Sequence, residues 1–219
     1  MTMLRNERGR KSPAAAPGLR ERTKERKRDA LVRAGRVLFL QRGFEETTTR
    51  AIAAKAGVAS GTFFLYFREK RDLLLHLFRE EVSAVAEEAF ATEPRDAPLV
   101  ERLVHVFGRF YAYYARSPRL SRVFMKELLF LEEGESYPMM AFTMSFMMRV
   151  ADVVADARRR GRLRAEVDPM LAASQAMAAY LFCLVGWLNG AIPGLEMTVV
   201  QLRAQLDLMM QGVGRRRRA

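Results

Sequence analysis

The sequence has few of the residues that build disulfide frameworks or metal centres. It contains one cysteine and two histidines in 219 residues, so an internal disulfide is excluded and a zinc site or other metal cofactor is not expected. Its 14 glycines and 8 prolines are too few for a fibrous or low-complexity chain. No long apolar run follows the first methionine, which predicts a cytoplasmic protein without a signal peptide.

Catalytic patterns are also missing. No nucleophile motif or phosphate-binding loop is found. The acidic pairs at 80–81, 87–88 and 132–133 are adjacent residues, and neighbours on a helix point in diverging directions. The sequence therefore predicts a protein that is not an enzyme. An enzyme housed in a helical body is the alternative, and turnover of a substrate would support it.

The charge is distributed unevenly along the chain. The formal net charge is +12, and residues 1–71 contain 18 Lys or Arg against 7 Asp or Glu. Residues 72–214 contain 15 basic against 18 acidic residues, and four arginines follow at 215–218. A basic N-terminal third on a mildly acidic remainder is typical of a nucleic-acid-binding module joined to a larger body. A merely solvated basic tail is equally compatible with the charge alone.

Apolar residues repeat at intervals of three and four over most of the chain, and few segments alternate with period two, so the fold is predicted to be all-α. Two short helices are expected near the N-terminus. The first is capped by Thr48 and ends at Gly57, and the second runs from Ala59 or Ser60 to about Phe67. Such a pair fits a helix-turn-helix, because one α-helix matches the width of the DNA major groove.

The segment 43–70 reads GFEETTTRAIAAKAGVASGTFFLYFREK and resembles the DNA-binding signature of TetR-type transcriptional regulators. The likeness covers about residues 22–78. It implies a homodimer with an N-terminal three-helix DNA-binding domain and a larger C-terminal helical domain for ligand binding and dimerisation. We accordingly expect a disordered basic arm at 1–20, a helix-turn-helix domain at 21–70, a ligand-binding and dimerisation domain at 71–214 and a basic tail at 215–219.

The predicted DNA-binding residues combine local chemistry with this resemblance. Thr48 can cap a helix whose N–H groups face a phosphate, and Arg50 is the candidate for a bidentate guanine contact. The resemblance adds outward positions on the second helix and a phosphate-contacting lysine. The full predicted set is Thr48, Arg50, Ser60, Gly61, Thr62, Phe64, Tyr66 and Lys70.

The segment departs from the family pattern at three positions. Ala59 stands where the family commonly has a capping Ser or Thr, and Ser60 stands where a Lys is common. Phe64 replaces a common Tyr, which removes one phosphate hydrogen bond and leaves a ring able to contact a thymine methyl. These changes affect single contacts rather than the class of protein.

A lipophilic pocket is predicted in the C-terminal part. Six of the 13 methionines lie between 125 and 148 among many aromatic residues, and methionine suits surfaces that repack around apolar partners. A plain core is the alternative. A highly charged ligand group is disfavoured unless it meets the arginines at 149 and 158–160. The predicted lining is Phe107, Tyr111, Phe124, Met125, Met140, Met144 and Met147.

The last two predicted helices carry a small-residue face and an apolar stripe. Paired across a two-fold axis, they would form a four-helix bundle, and ordinary packing within one chain is the alternative. The predicted interface residues are Ala172, Ala176, Ala179, Val199, Leu202, Leu206 and Met209. The uncharged stretch 170–188 is long enough to span a membrane, but its serine, glutamine and alanines favour a buried helix.

Together these features predict a dimeric regulator that binds a near-palindromic operator in double-stranded DNA and is released by a small lipophilic ligand. A regulator without a ligand, an activator and a membrane-associated protein are the alternatives that the sequence leaves open.

Overall fold

A computed structural model describes residues 18–130 and 137–213, and all regular structure within these ranges is helical. The all-α prediction is confirmed. The helices are α1 (Leu19–Arg42), α2 (Thr49–Lys55), α3 (Ser60–Phe63), α4 (Lys70–Ala91), α5 (Leu99–Tyr114), α6 (Pro118–Leu129), α7 (Tyr137–Arg159), α8 (Pro169–Leu188) and α9 (Gly194–Val213).

Local capping chemistry sets several helix ends. Asp168 accepts hydrogen bonds from the N–H groups of Met170 and Leu171 at 2.7 and 3.0 Å, and Pro169 occupies the first position of α8. Gly43 follows α1 with φ of 88°, a conformation that favours glycine. These ends are specified within a few residues of the chain.

Two predicted boundaries are wrong. Because α1 begins at Leu19, the arm expected at 1–20 overlaps the first helical turn by two residues. Residues 1–17 of the predicted arm and the tail at 215–219 lie outside the described residues. The second helix of the predicted pair ends at Phe63 rather than Phe67. The N–H groups of Leu65 and Tyr66 bond to carbonyls three residues back, which tightens the chain into a turn.

The N-terminal helices share one core with the body. Leu31 of α1, Ile52 of α2, Phe63 of α3 and Leu73 of α4 are all fully buried. Gly35 lies directly against the Leu73 side chain, and a larger residue there would clash with it. The buried core continues without a break from these helices into α5–α9, so α4 belongs structurally to both parts of the molecule.

Stacked aromatic rings fill the centre of the body. Tyr180 of α8 stacks on Phe107 and Tyr111 of α5, with ring centroids 4.7 and 5.2 Å apart. The Tyr111 hydroxyl donates to the Tyr180 carbonyl at 2.9 Å. Phe124 of α6 stacks on Phe78 of α4 at 4.1 Å. These contacts fix α5, α6 and α8 around a dry interior.

Two helices, Pro138–Arg159 and Pro169–Leu188, are long and apolar enough to cross a membrane when judged by length and composition alone. In the structure α8 packs between α7 and α9. Its residues Ala173, Ala176, Cys183 and Leu184 are fully buried there. This packing matches the predicted buried helix, and it accounts for the apolar composition of α8 without a lipid environment.

A buried charge network ties the α4–α5 connection to α7. The guanidinium of Arg102, 2% exposed, donates to both carboxylate oxygens of Glu93 at 2.7 and 2.8 Å and to Asp156 at 2.7 Å. Its hydrogen bond lowers the pKa of Asp156, which therefore stays ionised. Removing the cation would leave two carboxylates without their buried partner.

We predict that Arg102→Met lowers the free energy of unfolding by about 3–5 kcal/mol, because it strands the charge of Glu93. Chemical denaturation at neutral pH measures the change. The matched control is Arg109→Met, which breaks the Arg109–Glu88 pair, whose side chains are 45% and 62% exposed, and which should cost at most about 1 kcal/mol. Equal losses in the two variants would contradict this role for the network.

Candidate DNA-binding surface and ligand cavity

At the start of α2, one threonine is buried and its neighbour is exposed. Thr47 is 1% exposed and its hydroxyl donates to the Gly43 carbonyl at 2.7 Å. Thr48 is exposed and its hydroxyl oxygen accepts from the Ala51 N–H at 3.1 Å, as predicted for the cap. Arg50, also exposed, projects from the first turn. The helix therefore presents its N-terminal end and a guanidinium to solvent.

The short helix α3 presents small polar and apolar side chains. Ser60 and Gly61 are exposed, and nothing lies within 4 Å of where a Cβ on Gly61 would be. Thr62 is half-buried, and Phe63 is fully buried. Ala59 provides no side-chain cap, as its identity implies.

Phe64 and Leu65 follow α3 and are 59% and 75% exposed. Leu65 is not among the predicted contacts, although its apolar side chain beside Phe64 marks it in the sequence. The residues Thr48, Arg50, Ser60, Gly61, Phe64 and Leu65 form what we call the α2–α3 outer surface. It offers hydroxyl and guanidinium donors and an apolar pair, the combination that reads base edges and thymine methyl groups.

Two predicted DNA-binding residues have contacts inside the protein. Lys70 Nζ donates to the carbonyl oxygens of Phe44 and Glu45, both at 2.9 Å, and lies 4.5 Å from the centroid of the Phe44 ring. Two of the three ammonium donors are thus used to hold the turn before α2 against α4. Tyr66 is half-buried and borders a cleft with His76 and Pro138. For Lys70 the structure adds a positioning role that the sequence pattern does not indicate.

A cavity of about 300 Å³ lies between α5, α6, α7 and α8. Its lining is almost wholly apolar, and burial raises the pKa of Tyr114 and Tyr180, so both phenols stay neutral. Its volume is at the small end of the range of about 300–1,000 Å³ for ligand pockets. The lining comprises Phe110, Tyr114, Met125, Leu128, Leu129, Met140, Phe142, Thr143, Phe146, Met177, Tyr180 and Leu181.

Of the predicted pocket residues, Met125 and Met140 line this cavity and the other five do not. Phe107, Tyr111 and Phe124 are buried in the aromatic stacks of the core. Met144 is 57% exposed, and Met147 is half-buried against the core. The composition located the right helices, but only side-chain packing decides which of their apolar residues border a void.

The predicted dimer residues take part in packing within one protomer. Ala172, Ala176, Ala179, Leu202 and Leu206 are all less than 10% exposed within one protomer, and Val199 and Met209 pack half-buried on the core. They are used to pack α8 and α9 against each other and against α5 and α7. Both helices also expose apolar residues, among them Leu171, Ala178, Phe182, Met197, Val200 and Leu208, which we call the α8–α9 outer face.

The structure thus places a small helix-turn-helix unit on a helical body that contains an apolar cavity. The family model of bacterial regulatory proteins, tetR family, matches residues 31–77. This match covers α2 and α3 completely, together with the parts of α1 and α4 that pack on them. Over these residues the chain is similar to the DNA-binding domain of the tetR family of bacterial regulatory proteins.

Curated relatives agree with this assignment. The Fatty acid metabolism regulator protein of Bacillus subtilis is 31% identical over 91 residues, which is 42% of this chain and 47% of that protein. The HTH-type transcriptional regulator TcmR of Streptomyces glaucescens is 36% identical over 107 residues, 48% and 45% of the two chains. The chain spans about half the length of these relatives, which are named as regulators and not as enzymes.

A solved structure matches over nearly its whole length. FadR of Thermus thermophilus, a TetR-family transcriptional repressor determined in complex with lauroyl-CoA, superposes with a TM-score of 0.70 and 25% identity. The alignment covers 87% of this chain and 97% of that chain. The helical body therefore has the same fold as the body of that repressor.

We predict that Lys70→Met lowers the free energy of unfolding by about 1.5–3 kcal/mol, because it removes a cation that hydrogen-bonds two carbonyls. Urea denaturation measures the change. Lys55→Met, at an exposed position at the end of α2, serves as the control and should leave stability within about 0.5 kcal/mol. If both variants are as stable as wild type, the positioning role of Lys70 is wrong.

Proposed function

We propose that this protein is a dimeric transcriptional repressor that binds a near-palindromic operator and dissociates from it when a lipophilic ligand enters the body. The α2–α3 outer surface carries the proposal. It leaves Thr48, Arg50 and the N-terminal end of α2 exposed on a unit whose opposite side is fully packed. The remaining predicted contacts, Ser60, Gly61, Thr62, Phe64, Tyr66 and Lys70, belong to the same proposal.

In this proposal α3 and the turn after it lie in the major groove. The exposed end of α2 meets a phosphate, where the helix dipole favours negative charge. Arg50 reads a guanine through its O6 and N7 atoms. Residues 1–20 hold five Lys or Arg against one Glu, and they add a salt-dependent attraction to the DNA backbone.

The α8–α9 outer face supports a homodimer. Leu171, Phe182, Val200 and Leu208 are each more than half exposed on two adjacent helices, and a patch of this kind marks an interface. Pairing α8 and α9 with their symmetry mates forms a four-helix bundle. Two recognition elements would then be presented to half-sites about 34–36 Å apart, one turn of DNA.

The apolar cavity supports a lipophilic effector. Thermus thermophilus FadR, which shares the fold of the body, was solved with lauroyl-CoA, and we propose a fatty acyl compound as the ligand class here. A ligand that binds more tightly when the two DNA-binding units are apart shifts the population away from the operator-bound spacing. The protein acts in this way as a soluble regulator in the cytoplasm.

We predict that Arg50→Ala weakens operator binding by about 1–3 kcal/mol and relaxes sequence preference at one base pair, because it removes a bidentate contact. Fluorescence anisotropy on operator variants measures both effects. The control is Arg95→Ala, exposed in the connection between α4 and α5, which should bind as wild type does. An equal loss on random DNA would argue against a base contact.

We predict that the double substitution Phe182→Glu and Leu208→Glu yields a monomer in light scattering, because charge is placed on the α8–α9 outer face. The fold should survive, since both side chains are exposed in one protomer. The matched control is Leu65→Glu, a 75% exposed leucine on the α2–α3 outer surface, which should remain dimeric. A stable dimer of the double variant would place the interface elsewhere.

A further inference from the structure

The first three turns of α7 separate two cavities of different chemistry. On one side lies the apolar cavity between α5, α6 and α8. On the other side, between α7 and α4, lies a cleft of about 340 Å³. Phe142 and Phe146 border both, so these two rings are part of the layer that separates them.

The α4–α7 cleft is polar and carries two arginines. Its polar lining consists of Arg79, Ser83 and the acidic Glu87 from α4 and of Ser145 and Arg149 from α7. Arg149 is paired with Glu87 and lies 4.2 Å from the centroid of the Phe90 ring. Guanidinium and hydroxyl groups together are the donors that bind carboxylate and phosphate oxygens.

Arg79 is the less compensated of the two arginines. Its guanidinium lies 3.3 Å from His76 Nδ1, and it forms no ion pair with any residue in the described ranges. Burial lowers the pKa of His76, so the neutral ring can accept this hydrogen bond. Arg79 therefore borders the cleft with its positive charge unneutralised by an acidic side chain of the described residues.

The two rings of the separating layer are held differently. Phe146 is 5% exposed and packs on Phe90, Phe107 and Phe110, with the closest centroid at 4.7 Å. Phe142 is half-buried, and Phe146 is its ring partner at 6.2 Å. Phe142 is therefore held by fewer ring contacts than Phe146.

We propose that the effector is an anionic amphiphile that occupies both cavities. Its apolar chain lies between α5, α6 and α8, and its anionic group lies against Arg79 and Arg149, with Phe142 turned aside between them. This inference rests on the proposed ligand-responsive function and adds the residues that select the head group. The anion can be the carboxylate of a free fatty acid or the phosphates of an acyl-CoA.

The placement also connects the ligand to the DNA-binding unit. Arg79 lies nine residues after Lys70 on α4, about 2.5 turns along the same helix. An anion held between Arg79 and Arg149 draws α4 toward α7. The start of α4 carries the turn before α2 through Lys70, so a shift of α4 reorients the α2–α3 outer surface.

The test compares three twelve-carbon ligands on the purified full-length protein: laurate, lauroyl-CoA and dodecan-1-ol, which has the same chain and no charge. Isothermal titration calorimetry is run on wild type, Arg79→Met and Arg149→Met. We expect wild type to bind at least one of the anionic ligands at least tenfold more tightly than dodecan-1-ol. Each arginine variant should lose at least tenfold affinity for that anionic ligand and keep its affinity for dodecan-1-ol.

The control is Arg109→Met, which breaks an exposed ion pair to Glu88 outside both cavities and should bind all ligands as wild type does. Retained dodecan-1-ol binding shows that a variant is folded. Preference for laurate or for lauroyl-CoA identifies the source of the anion. Phe142→Ala should accelerate association of the preferred ligand several-fold in stopped-flow measurements, and an unchanged rate would contradict the role of Phe142.

Failure of this inference and failure of the proposed function have different signatures. If wild type binds none of the three ligands, the proposed response to a fatty acyl ligand is wrong. If wild type binds all three equally, or the arginine variants lose dodecan-1-ol in parallel with the anions, the head-group site is overturned while a lipophilic effector stands.

Discussion

The contact between the Lys70 ammonium and the carbonyls of Phe44 and Glu45 is the constraint on which the rest depends. It joins the first residue of α4 to the turn that precedes α2, so the direction of α4 sets the direction of the α2–α3 outer surface. The next residue, Arg71, has its Nε 2.6 Å from a Glu127 carboxylate oxygen on α6. One turn of α4 is therefore held to the DNA-binding unit and to the body at once.

The apolar cavity is adjacent to the contact between Arg71 and Glu127. Glu127 immediately precedes Leu128 and Leu129, which line it. Met125 does so from the preceding turn of α6. A continuous series of packed and charged contacts thus joins the cavity wall, α6, α4 and the turn before α2. In a regulator of the proposed kind, such an arrangement lets the state of the body bias the spacing of two recognition elements without a change in their own fold.

Features specified by neighbouring residues could be predicted from the sequence. The caps at Thr48 and Asp168 and the stop at Gly43 are local hydrogen-bonding and backbone preferences, and the structure has the Thr48 cap where expected. The end of α3 could not be placed, because no sequence signal distinguishes a continuing helix from the tightened turn at 64–66. Phe63 and Phe67 are buried in either case.

Features that depend on long-range packing could not be predicted in the same way. An apolar periodicity marks a buried stripe but does not say which neighbour buries it. On α8 the alanines at 172, 176 and 179 pack inward, while Leu171 and Phe182 face outward. Likewise, Phe107 and Tyr111 are buried in the core because the ring of Tyr180 stacks on both of them. The sequence identifies Lys70 as a cation. The carbonyls that it contacts belong to residues 25 and 26 positions away, so the contact itself could not be predicted.

The most direct test of the central claim is DNase footprinting of the purified protein on the DNA flanking its own gene, with and without lauroyl-CoA or laurate. The account predicts protection of a near-palindromic site, with two half-sites about one helical turn apart, and loss of that protection as the fatty acyl ligand is added. Protection that persists unchanged at saturating ligand, or no protected site at low salt, would contradict it.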